Sequence, residues 1–581
     1  QRRDMASKQS WTTVSLNPLV GALDTRSRPA DVPIGGFRWK LNFRTTSEGK
    51  LCRRRGFEKF YSDAALFTNH DHHYQGAVRE PITGIFESTE NDGTRRFFDS
   101  TQSRVSLLDP DTGLYTDIIS GMGDTGSRWK AAELQNVVVF TNNVDEPRFY
   151  DVVTQSAVTI SNLPAKKAKV VVQFNGYIIL MNTFEDGERK SARVRWCDLN
   201  MPKEWRIAPA LANSLAGFQD LQYGDEILGA APMLGALYIY TRRSIWKMFV
   251  AGTDEGVFGF TRVYNEPKNQ TGCLAFPDTL ITTGGEHWYM GRDGIYKFSP
   301  YVPTPEREDW LHRASGVIYT KVDTMIDPDY CASPVAEYLP DAREIWFSWP
   351  SAGQLGVNNW TLIAQIEHKT ADIMDAGFTA LCNFRRTAES ASKCNESQDF
   401  VGASGVDYCL KSIGEVYLRE YAVLSDVSDP TVDLPETATY ASVGYDSQLR
   451  TLIPLGFSDR DKLIRNVLVD HDTSAQEAPC VFRLRIGNAY SLVDANSEAD
   501  TCAPLWRQMS DRELACSDPS SIATMRANNL RPNVGTEWRV YERGRFLYFE
   551  LTITNADHTP GIGGDTCLQR IDFDAMAMPK E

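Results

Sequence analysis

Residues 235–249 read GALYIYTRRSIWKMF, and residues 285–298 read GEHWYMGRDGIYKF. Aligned from their first glycines, Gly235 falls on Gly285, Tyr238 on Trp288, Arg242 on Arg292, Ile245 on Ile295, Trp246 on Tyr296 and Lys247 on Lys297. Each stretch is two apolar runs joined by a short polar turn, the pattern of a β-hairpin. The offset, 285 minus 235 or about fifty residues, lies in the range of propeller and solenoid repeats.

The hairpin recurs along the chain. TRRFFDSTQSRVSLLDPDTGLYTDI (94–118) turns at DPDTG, and NVVVFTNNVDEPRFYDVVT (136–154) turns at NNVDEP. NGYIILMNTFEDGERKSARVRWCDL (175–199) has a longer, charged tip. After the opening pair come REIWFSWPSAGQLGVNNWTLIAQIEHKTADI (343–373) and a weaker DFVGASGVDYCLKSIGEVYLRE (399–420). Pro, Gly, Asn and Asp at the tips are ordinary turn chemistry. Long helical periodicity is largely absent; SSIATMRANNL (520–530) is the best short helix. The fold class expected is therefore all-β.

A small antiparallel sheet that is apolar on both faces cannot bury them alone. Stacking such sheets about an axis covers both faces and leaves short edges, which is the β-propeller solution. Tyr238 and Trp288, and likewise Trp246 and Tyr296, are then expected to fill the spaces between units, each ring burying on the order of 150–250 Å². The sequence predicts an irregular propeller of six or seven blades over 37–440. The competing expectation is a long β-sandwich whose hairpins resemble one another.

Residues 1–36, rich in Pro, Ser, Arg and Gly, read as an extended N-terminal arm. FRWKLNFRTTSEGKLCRRRGF (37–57) alternates and turns at SEGK, a hairpin opening the folded part. From 441 to 581, KLIRNVLVDHD, CVFRLRIGNAY, EWRVYERGRFLYFELTITN and TCLQRIDFDAMAMP are alternating strands between polar loops. They predict a C-terminal β-sandwich, or a sheet closing the assembly.

Charge is unevenly placed. Residues 1–60 carry 13 Lys+Arg against 5 Asp+Glu, a surplus of 8, so the total of −15 leaves −23 on the rest. The asymmetry predicts a basic arm docking on an acidic surface of a neighbouring subunit, rather than phosphate binding against the repulsion of an acidic body. No segment reaches the roughly 18 unbroken apolar residues of a membrane span. QRRDMASKQSW lacks the apolar run of a secretory signal. The 11 cysteines form no C-x-x-C pair, and reduced buried thiols are the expectation.

Recognisable catalytic signatures are lacking: no phosphate-binding loop, nucleophile elbow, zinc-protease helix or dinucleotide fingerprint is present. His70, Asp71, His72 and His73 form the one histidine cluster, but adjacent residues on an extended segment face opposite ways and do not converge on a metal. Glu185, Asp186 and Glu188, and Asp109 and Asp111, are carboxylate groups at hairpin tips. Propeller glycosidases use paired carboxylates and often a repeated S-x-D-x-G-x-x-W turn. STENDGTRRF (88–97) places its serine two positions too far from Asp92 and ends in Phe97, and GRDGIYKF lacks the serine. No catalytic, cofactor or metal residue is assigned.

The order of several weak motifs resembles one known family. LNPLVGALDTRSRP followed by GKLCRRRGFEKF is similar to the opening of tail proteins of short-tailed bacteriophages. So is the succession VVVQFNGYIILMN…SARVRWCDLNMPKEW, GDEILGAAPMLGALYIYTRRSIWKM and GCLAFPDTLITTGGEHWYMGRDGIYKF. These are the propeller-containing hub or nozzle subunits of the packaged-DNA-stabilising type, and the likeness covers about residues 15–300. The resemblance implies a virion structural protein assembled in the bacterial cytoplasm, a ring of six copies of this chain around the DNA channel. Its partners would be the adaptor or portal subunits above and fibres or a central needle below. Double-stranded DNA would pass the lumen without sequence-specific binding. A glycan-binding or glycan-hydrolysing propeller, and a fibre-anchoring or capsid-surface protein of the same phage, are the alternatives. Interface candidates, chosen for charge and expected exposure, are Arg53, Arg54 and Arg55 at the arm junction and Glu185, Asp186 and Arg189 at a hairpin tip.

Overall fold

The computed structural model describes residues 11–578, apart from 17–18, 20, 22, 28–30, 33–35, 47, 55, 60–73, 76–77, 80–81, 90–94, 109–114, 121–127, 159, 224, 254–255, 269–270, 322–323, 341, 355, 385–398, 405–414, 422–424, 428–441, 445–446, 454–460, 474–479, 488–505, 509–511, 515–535, 545–546 and 556–565. The chain is nearly all β. Among the described residues no helix is long and apolar enough to cross a membrane. The histidine cluster at 70–73, the Asp109 and Asp111 tip, Asp92 and the expected helix at 520–530 lie outside the described residues.

Each of the seven recurring hairpins from 94 to 420 belongs to a four-stranded antiparallel array, whereas the hairpin at 37–57 does not. The first sheet comprises Gly84–Thr89, Arg95–Ser100, Val105–Leu108 and Tyr115–Ile119. Four more follow in the same up-and-down order, with first strands Lys130–Leu134, Lys167–Phe174, Ile227–Met233 and Ile281–Thr283. The sixth array, Val335–Leu339 to Thr370–Met374, is one end of a ten-stranded sheet. The seventh is Ala380–Phe384, Asp399–Ser404 and Glu415–Tyr421, completed by Gly56–Lys59 from the other end of the chain.

The first strand of each array lies beside the first strand of the next, and that of the seventh lies beside that of the first. In the second to fifth arrays a two-residue turn joins the first two strands: Gln135-Asn136, Asn175-Gly176, Leu234-Gly235 and Gly284-Gly285. All eight residues have positive φ, as hairpin turns that match the right-handed twist of strands require. Second strands such as Tyr177–Glu185 and Ala236–Thr241 are buried almost throughout, because a neighbouring sheet covers each face.

The repeated aromatics occupy the expected places. In the fourth sheet Leu237, Ile239 and Trp246 pack with the third sheet, while Tyr238 and Tyr240 pack with the fifth. In the fifth, Tyr289 and Tyr296 pack back on the fourth, while Trp288 and Met290 pack on the sixth. Tyr238 and Trp288 therefore both face the following unit, and Trp246 and Tyr296 both face the preceding one.

The two ends of the chain share a second core. Thr12–Leu16 pairs with Thr566–Ala577, and the hairpin Phe43–Thr45 and Leu51–Arg53 joins the same last strand. Lys462–Thr473 and Thr536–Gly544 complete that sheet. Trp39–Leu41 lies in the ten-stranded sheet between Thr370–Met374 and Ser447–Leu452, next to Tyr548–Asn555 and Cys480–Gly487. Leu16, Phe43, Trp538 and Phe573 from one sheet meet Leu449, Leu484, Phe549 and Leu551 from the other in one apolar cluster. Cys52 stands opposite Cys567 in the ladder and is disulfide-bonded to it. The expectation of reduced thiols fails at this pair because strand register, set by distant residues, brings the two together.

Candidate functional site

The interface candidates divide by burial. Glu185 ends a buried second strand and is 1% exposed. Arg195 donates to both its carboxylate oxygens (2.8 and 2.6 Å), Arg193 donates at 2.9 Å and Thr183 at 2.7 Å. Burial raises the carboxyl pKa, and these donors outweigh it, so the net shift is downward. Asp186 takes positive φ in the turn and is exposed, as is Arg189, which donates to Asn143 of the preceding sheet. Arg53 and Arg54 are buried: Arg53 donates to Ser447 (3.0 Å), and Arg54 donates to Asn42 (2.9 Å) beside Asp375. The exposure expected of the six thus holds for Asp186 and Arg189 and fails for Arg53, Arg54 and Glu185. Arg55 lies outside the described residues.

Two basic residues of the N-terminal region find acidic partners within their own chain. Lys40 pairs with Asp372, and Arg44 grips Glu344 with two hydrogen bonds of 2.9 Å. Both carboxylates belong to the sixth sheet. Charge in the sequence pointed to an acidic counterpart but not to its address.

The segments that lead into the sheets meet at Arg128, which no sequence pattern singled out. Its guanidinium donates to the carbonyls of Ala332 (2.9 Å), Ser333 (2.6 Å), Thr83 (3.2 Å) and Thr379. These precede the sixth, first and seventh sheets, while Arg128 itself precedes the second. Asp278, before the fifth, lies 3.9 Å from Arg128 and 2.9 Å from Lys130. Five of the seven sheets are thus tied at one cation. Desolvation lowers its pKa, opposed by the charge of Asp278.

Beside this clasp is a cavity of about 730 Å³. Its walls are apolar, from Leu228, Leu274, Phe276, Met325 and Ile326, and its rim carries Arg26, Lys169, Arg242 and Arg292. Arg242 and Arg292 are the arginines that coincided in the overlaid hairpins: each sits in the turn between the second and third strands of its sheet. Lys169 and Arg242 share Glu226, at 2.8 and 2.6 Å. Asp293, the lining carboxylate, already bonds Arg307 (3.0 Å) and Tyr296 (2.7 Å). Tyr319 donates to the carbonyls of Gly291 and Gly294, fixing the turn that carries Arg292. The overlay contained both arginines, but nothing local showed that one cavity would receive them. Among the described residues no group of three metal-ligating side chains is assembled.

No known protein family matches the chain, and no curated protein is similar to it. Among solved structures it is similar to the crystal structure of the computationally designed Ika8 protein, with a TM-score of 0.32 and 10% identity, over 59% of this chain and 97% of that one. A likeness that low settles neither fold nor function.

Proposed function

We propose that this chain is a structural subunit of a short-tailed bacteriophage tail, its seven sheets the blades of one β-propeller and its C-terminal part a β-sandwich that holds the two ends of the chain. Six copies would form a ring below the portal and adaptor, retaining the genome and then passing it. Fibres or a needle would attach below. Head-to-tail association closes into a ring when its rotation permits, and such a wall needs no catalytic residue. The reading is carried by the neighbour relation of the first strands, from the first array through the seventh and back, in a chain whose first three hundred residues follow the motif order of hub and nozzle proteins. The strand Gly56–Lys59 completing the seventh array supports it further, since joining early and late chain in one blade fastens a propeller.

An electron micrograph of intact particles with this chain placed in the tail is the direct test. Sizing with light scattering, alone and with the adaptor, should give rings or adaptor-dependent assemblies. A monomer that releases reducing sugar from a polysaccharide panel would favour the glycan-hydrolysing alternative and overturn the proposal.

A further inference from the structure

We infer that the cavity beside Arg128 is a binding site for a small organic anion, a carboxylate or phosphate on an apolar body. Its size is that of a small-molecule site, where ligands of 300–1,000 Å³ pockets are held by apolar walls and a few polar groups. Four cations face it against one carboxylate, and that carboxylate is committed to Arg307 and Tyr296. Two of the four are not neutralised in place. Among the described residues Arg292 has no ion-pair partner, although its turn is held rigid by Tyr319. Arg26 makes one long bond of 3.4 Å, to the Asp293 carbonyl, and its buried Nε donates to nothing. A buried donor left without an acceptor is costly, and an anion in the cavity would satisfy it. Planar guanidinium groups suit two-oxygen acceptors such as carboxylate and phosphate. The apolar walls require the rest of the ligand to be hydrocarbon-like.

The site is independent of the tail reading and is tested on the whole chain by calorimetric titration with 4-phenylbutyrate, phenyl phosphate and uncharged 4-phenylbutanol. At least one anion should bind saturably, once per chain, and the alcohol about tenfold more weakly or worse. Which anion binds tighter distinguishes a carboxylate from a phosphate source. Arg292→Ala, at an exposed position, should weaken the better anion about tenfold with an unchanged melting temperature, and leave the alcohol unaffected. Arg26→Ala should do the same to the anion even if its melting temperature falls. Equal binding of alcohol and anions, indifference to Arg292→Ala, or no saturation by any probe at about 10 mM would each overturn the inference.

Discussion

His287, buried, and Glu337, half-buried, are ionisable groups whose pKa values move in opposite senses. Burial between the fourth and fifth sheets, against Tyr238 and Tyr240, pushes His287 from 6.5 down to about 4, although the Pro232 carbonyl favours its charged form. Nδ1 lies 2.8 Å from the Tyr240 hydroxyl, within hydrogen-bond distance. The unfolded chain binds this proton first as pH falls. Stability from a neutral His287 is therefore complete above pH 6.5 and lost toward pH 4, about 3 kcal/mol in all. Glu337, on the first strand of the sixth sheet, is raised from 4.5 to about 8 by desolvation, with a smaller opposing bond from the Tyr338 backbone. Its contribution is complete below pH 4.5 and lost as pH rises toward 8. The wild-type curve sums two opposed slopes, and substitutions separate them. Glu337→Gln should gain stability over wild type progressively from pH 4.5 to 8. His287→Leu should lose less than wild type on acidification from pH 6.5 to 4.5. Urea midpoints across that range give both answers, and parallel curves for all three proteins would refute the assignments. At the same scale, Arg128→Met should cost about 3 kcal/mol, since four carbonyls, three of them part-buried, lose their donor at once. Arg128→Lys should recover only part, because one ammonium cannot reach so wide a set. A loss below about 1 kcal/mol in the same urea measurement would show that the clasp is incidental.

Individual strands were legible in the sequence because their signals are local. Alternation, apolar runs and turn residues at 94–118, 136–154, 175–199, 235–249, 285–298, 343–373 and 399–420 each marked one array. The overlay also showed that Tyr238 and Trp288 hold matching places between units, though not which neighbour each faces. Pairings between distant elements were not legible. Nothing in GFEK (56–59) announces that it completes the sheet of residues 380–421, and nothing in LCR (51–53) announces strand 566–577. The cavity was hidden for the same reason: Arg242 and Arg292 were visible as a repeat, whereas Arg26 arrives from the far end of the chain. The Cys52–Cys567 bond belongs to this class, and it closes a separation of 515 residues. Chain-entropy arguments assign such a closure roughly 6 kcal/mol, against the 2–4 typical of disulfides. Reduction should lower the denaturation midpoint, and a double substitution to serine should match the reduced wild type and ignore reductant. Unchanged midpoints on reduction would mean that the strand pairing alone holds this corner.

For the molecule as a whole, the proposed tail role raises the question of what a body of net charge −15 would do with DNA. A wall that bound phosphates would hold the genome through counterion release, whereas an acidic one lets it slide. Screening confines this repulsion to narrow passages, within a Debye length of about 8 Å. If the proposed ring forms, it should accordingly show no retardation of linear double-stranded DNA near 150 mM salt. A bore lined with lysine and arginine, or tight salt-sensitive binding, would remove the idea. Compartment adds a second expectation. Under the proposed assembly in a reducing bacterial cytoplasm, which opposes disulfides, thiols trapped at cell lysis should include free Cys52 and Cys567, while released particles should yield the bonded pair. A bonded pair at lysis would place oxidation before assembly.

Strand pairing also sets an order on synthesis. Thr12–Leu16 pairs with Thr566–Ala577, so among the described residues it is a strand that must wait for about 550 further residues (566 minus 16) before this partner exists. At 5–20 residues per second that interval is roughly half a minute to two minutes. During it the intervening sheets can form, but the early strand stays unmatched. A product that stops short of residue 566 would therefore be recognisable by its unfilled edge.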